Sequence, residues 1–188
     1  ATAQSTVDDL SALLAAAQIE PPYVLVGHSL GGIYIRLFAD RHPDLVAGLV
    51  FVDSSHPTQI ERFEEILPAP ARQSTIEDKI SDAFASVVRS AADTGPFGDL
   101  PVAILSADPK EGIAEQIRSG VSEDTARAMA ALWTELQTDL LNLSTNATRE
   151  VAENAQHFVH SADPQLVTDT IIDVVRQARG RAATAGGR

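Results

Sequence analysis

Residues 23–32, Tyr-Val-Leu-Val-Gly-His-Ser-Leu-Gly-Gly, set one serine at the end of an apolar run and ahead of a second periodic segment. The G-x-S-x-G spacing of Gly27, Ser29 and Gly31 is that of a sharp strand-to-helix turn that lifts a hydroxyl clear of a sheet edge. Such a turn forces strained backbone angles on Ser29, and the crowding it creates on either side accounts for glycine at 27 and 31. At the start of the following helix the Leu30 amide lacks an intrahelical acceptor, which suits it to stabilise an oxyanion.

A serine hydroxyl is a weak nucleophile near neutral pH, so Ser29 needs a base, and the base needs an acidic group to fix its tautomer. The chain has 5 histidines. His28 lies inside the turn with its side chain directed away from that of Ser29, which suits packing, and His42 and His56 precede prolines and end elements. His157 follows the last short strand and precedes the final helix, on the edge where parallel strands end, and is the expected base, with His160 the fallback. Asp53 ends the second strand and Asp108 follows the third. Both lie on the Ser29 edge, and either one orients His157 or serves as a cap or turn residue.

The elements around these residues read as α/β. Val7, Leu10, Leu13 and Leu14 follow the capping-like Ser5-Thr6-Val7-Asp8 at helical spacing until Pro21-Pro22. The strand at 23–27, the helix to about Arg41 and the strand Leu49-Val50-Phe51-Val52 make a right-handed parallel crossover. Residues 58–99 read as an all-helical insertion, lid-like over the strand ends or packed on the sheet's flank, with Ile60, Phe63 and Ile66 on one helix and Ile76, Ile80, Phe84, Val87 and Val88 on another. Val102-Ala103-Ile104-Leu105 is the third strand, a long helix spans about Ser122 to Leu143, and a short strand lies near Glu150-Val151-Ala152. The last helix runs from Asp163-Pro164 to Gly180, and 181–188 is an expected disordered tail. Residues 1–180 thus form one domain.

Composition limits the partners. A net charge of −12 and a pI near 4.7, with no cluster of Lys or Arg, disfavour nucleic acid and anionic membranes. The absence of cysteine removes disulfides, thiolate metal sites and a thiol nucleophile together. No apolar run is long enough for a membrane span and no signal peptide is visible, so the chain reads as soluble, with its compartment undetermined. Two glycosylation-type tripeptides, at Asn142 and Asn146, carry no weight.

Val26-Gly27-His28-Ser29-Leu30-Gly31-Gly32, the strand Gly48-Leu49-Val50-Phe51-Val52-Asp53 and Gln156-His157-Phe158 resemble the α/β-hydrolase superfamily over most of the chain. The resemblance implies Ser29 as nucleophile, His157 as base, the Leu30 amide as half of an oxyanion hole, and no metal or organic cofactor. Members place the acid either after the penultimate strand, pointing to Asp108, or after the strand that follows the turn, pointing to Asp53. Asp53 is preferred because Ser106 stands where glycine is common before the Asp108 turn. The family also places several strands ahead of the turn, so the first half of the fold is expected to be missing. About four parallel strands then remain, with the Ser29 strand an open edge that is expected to be covered by self-association or by a complementary chain, or to mark a truncated or processed product.

Two functions follow. One is a serine hydrolase cleaving a small-molecule carboxylic ester through an acyl-enzyme; serine where dehalogenase and epoxide-hydrolase relatives carry aspartate argues against those chemistries. The other is a weak or inactive hydrolase scaffold serving as a binding module.

Overall fold

A computed structural model describes residues 2–67 and 82–185. Four strands, β1 (Tyr23–His28), β2 (Val46–Val52), β3 (Val102–Ala107) and β4 (Ala147–Ala152), form one parallel sheet in that order. The pairings His28↔Val52, Val52↔Leu105 and Ala107↔Ala152 bring all four carboxyl ends to one edge. β1, the strand leading into Ser29, is itself an outer strand, and Val26 on it is 43% exposed.

Alternation along the strands builds a core on each face. Leu49, Phe51, Val102 and Ile104 pack with Val7 of α1 (Ala3–Ala16) and with Ile33, Leu37 and Phe38 of α2 (Gly31–Arg41). Val50, Val52, Ala103 and Leu105 face Val159 of α7 (Val159–Ala162) and Val167 and Val174 of α8 (Pro164–Ala185). These side chains are at most 8% exposed, as a parallel sheet covered on both faces requires. No helix among the described residues is long and apolar enough to cross a membrane.

Between β2 and β3 lie α3 (Gln59–Ile66) and α4 (Asp82–Arg89), where Ile60, Ala85 and Val88 pack together against Leu30. Within the expected insertion 59–66 and 82–89 are helical and 90–99 form turns and loop, while Ile76 and Ile80 lie outside the described residues. Between β3 and β4 come α5 (Pro109–Arg118) and α6 (Glu123–Asp139), the latter continued by a 3-10 turn over Leu140–Leu143.

Several elements differ from the sequence reading, among them β2, which begins at Val46 rather than Leu49, and β4, which begins at Ala147 rather than Glu150. α1 is capped by Thr2, whose hydroxyl accepts from Ser5 N–H, so the helix begins before the Ser5 signature. α5 escaped notice because Ile113 and Ile117 make only a short apolar stripe around Gly112, although Asp108 caps it and Pro109 occupies its first turn. The expected tail from 181 is helical through Ala185: Arg181 hydrogen-bonds and ion-pairs with Asp99, and Gly180 alone does not stop the helix.

The segment after β2 is unusually polar for a buried one. Ser54, Ser55 and His56 are all at most 5% exposed. His56 Nε2 lies 3.1 Å from Asp139 Oδ2, and Thr58 N–H donates to His56 Nδ1 at 3.3 Å. A carboxylate only accepts, so Nε2 carries the proton and Nδ1 the lone pair, which is the neutral ring. Burial lowers the His56 pKa below 6.5 despite Asp139, with the Arg36 and Arg62 charges adding to the effect. An unfolded histidine binds a proton more readily, so this contribution to stability is present above pH 6.5 and is lost as pH falls. Melting curves between pH 7.5 and 5.5 should show a loss of stability on acidification that His56→Asn reduces.

Candidate active site

The turn after β1 places Ser29 at φ +53°, a left-handed conformation that a non-glycine residue adopts at a cost of roughly 1–3 kcal/mol. Ser29 N–H donates to Val52 O at 3.1 Å, and Ser29 O accepts from Ser55 N–H at 3.0 Å. The strained residue is thus clamped at both backbone groups to the segment that carries Asp53. Leu30 N–H donates to no acceptor among the described residues, at the positive end of α2.

The glycines divide differently from the expectation. A Cβ on Gly27 would stand 2.5 Å from the Gly31 carbonyl, and one on Gly32 would stand 1.7 Å from Ser54 Oγ and 2.6 Å from Ser54 Cβ. A Cβ on Gly31 would meet nothing within 4 Å. The close approach is between the end of β1 and the start of α2, and between α2 and the segment after β2, so Gly27 and Gly32 are the constrained pair. Gly27→Ala and Gly32→Ala should each lose about 1–3 kcal/mol or more in urea unfolding. Gly31→Ala should be neutral or gain up to about 1 kcal/mol.

Asp53 also has positive φ, +40°, and its carboxylate is 4% exposed. Three donors from three elements converge on it. His157 Nδ1 is 2.7 Å from Oδ2, while Trp133 Nε1–H at 2.8 Å and Ala107 N–H at 3.0 Å donate to Oδ1. With Nδ1–H committed to the carboxylate, the neutral His157 ring keeps its lone pair on Nε2, the state a general base requires. The second tie on His157 is at its backbone: His28 Nε2–H donates to His157 O at 2.8 Å, and the two rings lie 4.5 Å apart. Burial lowers the His28 pKa, outweighing that hydrogen bond, with the His157 and His160 charges adding to the effect. Ser29 Oγ makes no hydrogen bond among the described residues; such contacts commonly close only when substrate is bound.

Of the two candidate acids, Asp53 is the one that reaches His157. Asp108 caps α5 through Lys110 N–H at 2.9 Å, and its other oxygen accepts from Asn154 N–H at 3.2 Å. These bonds, that from Lys110 first, hold its pKa below the usual carboxylate value. Asp108 N–H further donates to Ala155 O at 2.8 Å, so this residue anchors the loop that delivers His157. His160 packs its ring edge-on against His28 at 4.6 Å, and His42 lies 4.9 Å from Phe38 at the end of α2.

The contribution of α6 was not visible in the sequence. Trp133 and Gln137, one turn apart, bond successive residues: Trp133 holds Asp53, and Gln137 Nε2–H donates to Ser54 O at 2.7 Å. In the sequence Trp133 stands within the helix expected from about Ser122 to Leu143, and the available signal was the lone tryptophan of the chain four residues before a glutamine. Its ring also stacks on Phe63 at 6.3 Å. Among the described residues no three His, Cys, Asp or Glu side chains converge to hold a metal.

The family model for the alpha/beta hydrolase fold matches residues 2–110, more than half of the 188. The chain belongs to the α/β-hydrolase family. It is 27% identical over 176 residues to the uncharacterized protein YqjL of Bacillus subtilis, covering 92% of this chain and 64% of YqjL. It is 30% identical over 141 residues to the lipase LipV of Mycobacterium tuberculosis, covering 74% of this chain and 51% of LipV. The chain therefore spans between half and two thirds of the length of those relatives. Among solved structures, a proline iminopeptidase from Mycobacterium smegmatis superposes with a TM-score of 0.60 at 14% identity, over 96% of this chain and 73% of that one. That likeness concerns the fold alone.

Proposed function

We propose that the chain is a serine hydrolase that cleaves carboxylic esters through an acyl-enzyme on Ser29. His157 acts as general base, Asp53 orients and charge-stabilises it, and the Leu30 amide donates to the oxyanion. The observation that carries the reading is the 2.7 Å bond from His157 Nδ1 to Asp53, formed on the sheet edge that also presents the strained Ser29. In the first half-reaction Ser29 Oγ attacks the ester carbonyl while its proton passes to His157 Nε2. The imidazolium then protonates the departing alcohol, and water activated by the same nitrogen releases the acid. The relation to LipV, a lipase, supports an ester as substrate.

A fluorophosphonate probe should add covalently to the chain, as seen by intact mass, and the adduct should vanish in Ser29→Ala and His157→Ala. Asp53→Asn should lower kcat on the order of 10⁴-fold by trapping the wrong tautomer of His157. Asp108→Asn, which keeps an acceptor for Lys110 N–H and loses the one for Asn154 N–H, should stay within about ten-fold of wild type. The opposite ranking would transfer the orienting role to Asp108.

A second reading, favoured by the open outer edge of β1, is that turnover requires a covering partner: a second copy or a complementary chain. It supplies the other oxyanion donor, whose loss typically costs about 10² to 10³ in turnover. Sedimentation with parallel esterase assays checks this reading, which predicts that activity rises with association. A fully active monomer would dismiss it.

A further inference from the structure

We infer that the cavity between α5 and α6 receives the alcohol portion of the ester and selects an apolar group of limited length that carries no negative charge. This rests on the acyl-enzyme reading of Ser29 and adds the substrate class to it. The cavity measures about 400 Å³, toward the small end of the roughly 300–1,000 Å³ typical of ligand sites.

Its position relative to the reacting groups assigns the half of the substrate. His157 and Asp53 line it, whereas Ser29 and Leu30 do not. The leaving alcohol takes its proton from the imidazole, so a group held on the imidazole side, away from the oxyanion donor, is the leaving group. Phe63, Met129, Trp133 and Phe158 make the walls apolar. Asp53, Asp108 and Glu115 are the acidic residues of the lining, which contains no Lys or Arg, so a carboxylate-bearing ligand meets like charge. Depth comes from small residues: Gly112 and Ala130 border the space, and a Cβ on Gly112 would meet nothing within 4 Å. A larger side chain at 112 therefore starts at the border of the cavity with its Cβ clear of the protein.

Trp133 is the single tryptophan of the chain and forms one wall, so its emission reports occupancy without any turnover. Ser29→Ala protein titrated with primary alcohols from ethanol to octanol should show saturable emission changes, tightening about four-fold per methylene until the cavity is full. Hexanoate should bind at least about ten-fold more weakly than hexanol. Gly112→Leu, and independently Ala130→Leu, should weaken octanol about ten-fold, with unchanged circular dichroism.

In otherwise wild-type enzyme, Gly112→Leu should lower the ratio of kcat/KM for hexyl acetate over methyl acetate. The ratio for methyl hexanoate over methyl acetate should not move with it. A shift in the second ratio instead of the first would place the acyl chain in the cavity and overturn the assignment. An absent emission response, or equal binding of hexanoate, would overturn the proposed selectivity. Intact alcohol binding without hydrolysis of any ester would count against the Ser29 reading and leave the ligand preference of the cavity standing.

Discussion

The carboxylate of Asp53 is the point on which the arrangement of the site depends. A buried anion is tolerable only when donors replace its lost water, and here they come from β3, from α6 and from the loop after β4. Meeting that demand brings together elements far apart in sequence. His157 lies 104 residues from Asp53, and Trp133 lies 80 residues away. The same contacts that satisfy the charge fix the tautomer and direction of the His157 ring.

Around this anion, strain and close approach are concentrated at strand ends. Ser29 and Asp53 both hold positive φ at the carboxyl ends of neighbouring strands, and the Ser29 backbone is bonded to the segment on either side of Asp53. Gly32 lets α2 lie directly on Ser54, so the turn that presents the hydroxyl and the segment that presents the acid are packed as one unit. α6 then closes the far side of that segment through Trp133, Gln137 and Asp139. The wall that holds Asp53 is also a wall of the cavity, so the shape of that cavity and the orientation of the His157 ring depend on the same side chain, Trp133.

Some of this was open to a reader of the sequence and some was not. The parallel strands, the turn at Ser29 and the final helix are written in local patterns: apolar runs of strand length, punctuation by Gly and Pro, and a cap followed by proline. α5 was missed because two isoleucines do not make a persuasive stripe, although its Asp108-Pro109 start repeats the signature used correctly at Asp163-Pro164. The last helix was ended too soon at Gly180, because an ion pair with Asp99 across the fold is invisible to local reading. Glycine at 31 attracted attention through the motif, while the steric demand falls on Gly32.

The sequence by itself determined which chemistry-bearing side chains exist and that they stand at strand ends, since strand length, direction and the turn residues after each strand are local properties. It narrowed the acid to Asp53 or Asp108 and could go no further, because both follow a strand on the same edge. Only the tertiary structure placed Asp53 against His157 and turned Asp108 to the helix cap and the His157 loop. That choice depends on which carboxylate the packing of α6 buries and supplies with donors, a matter of distances between segments that no local spacing encodes.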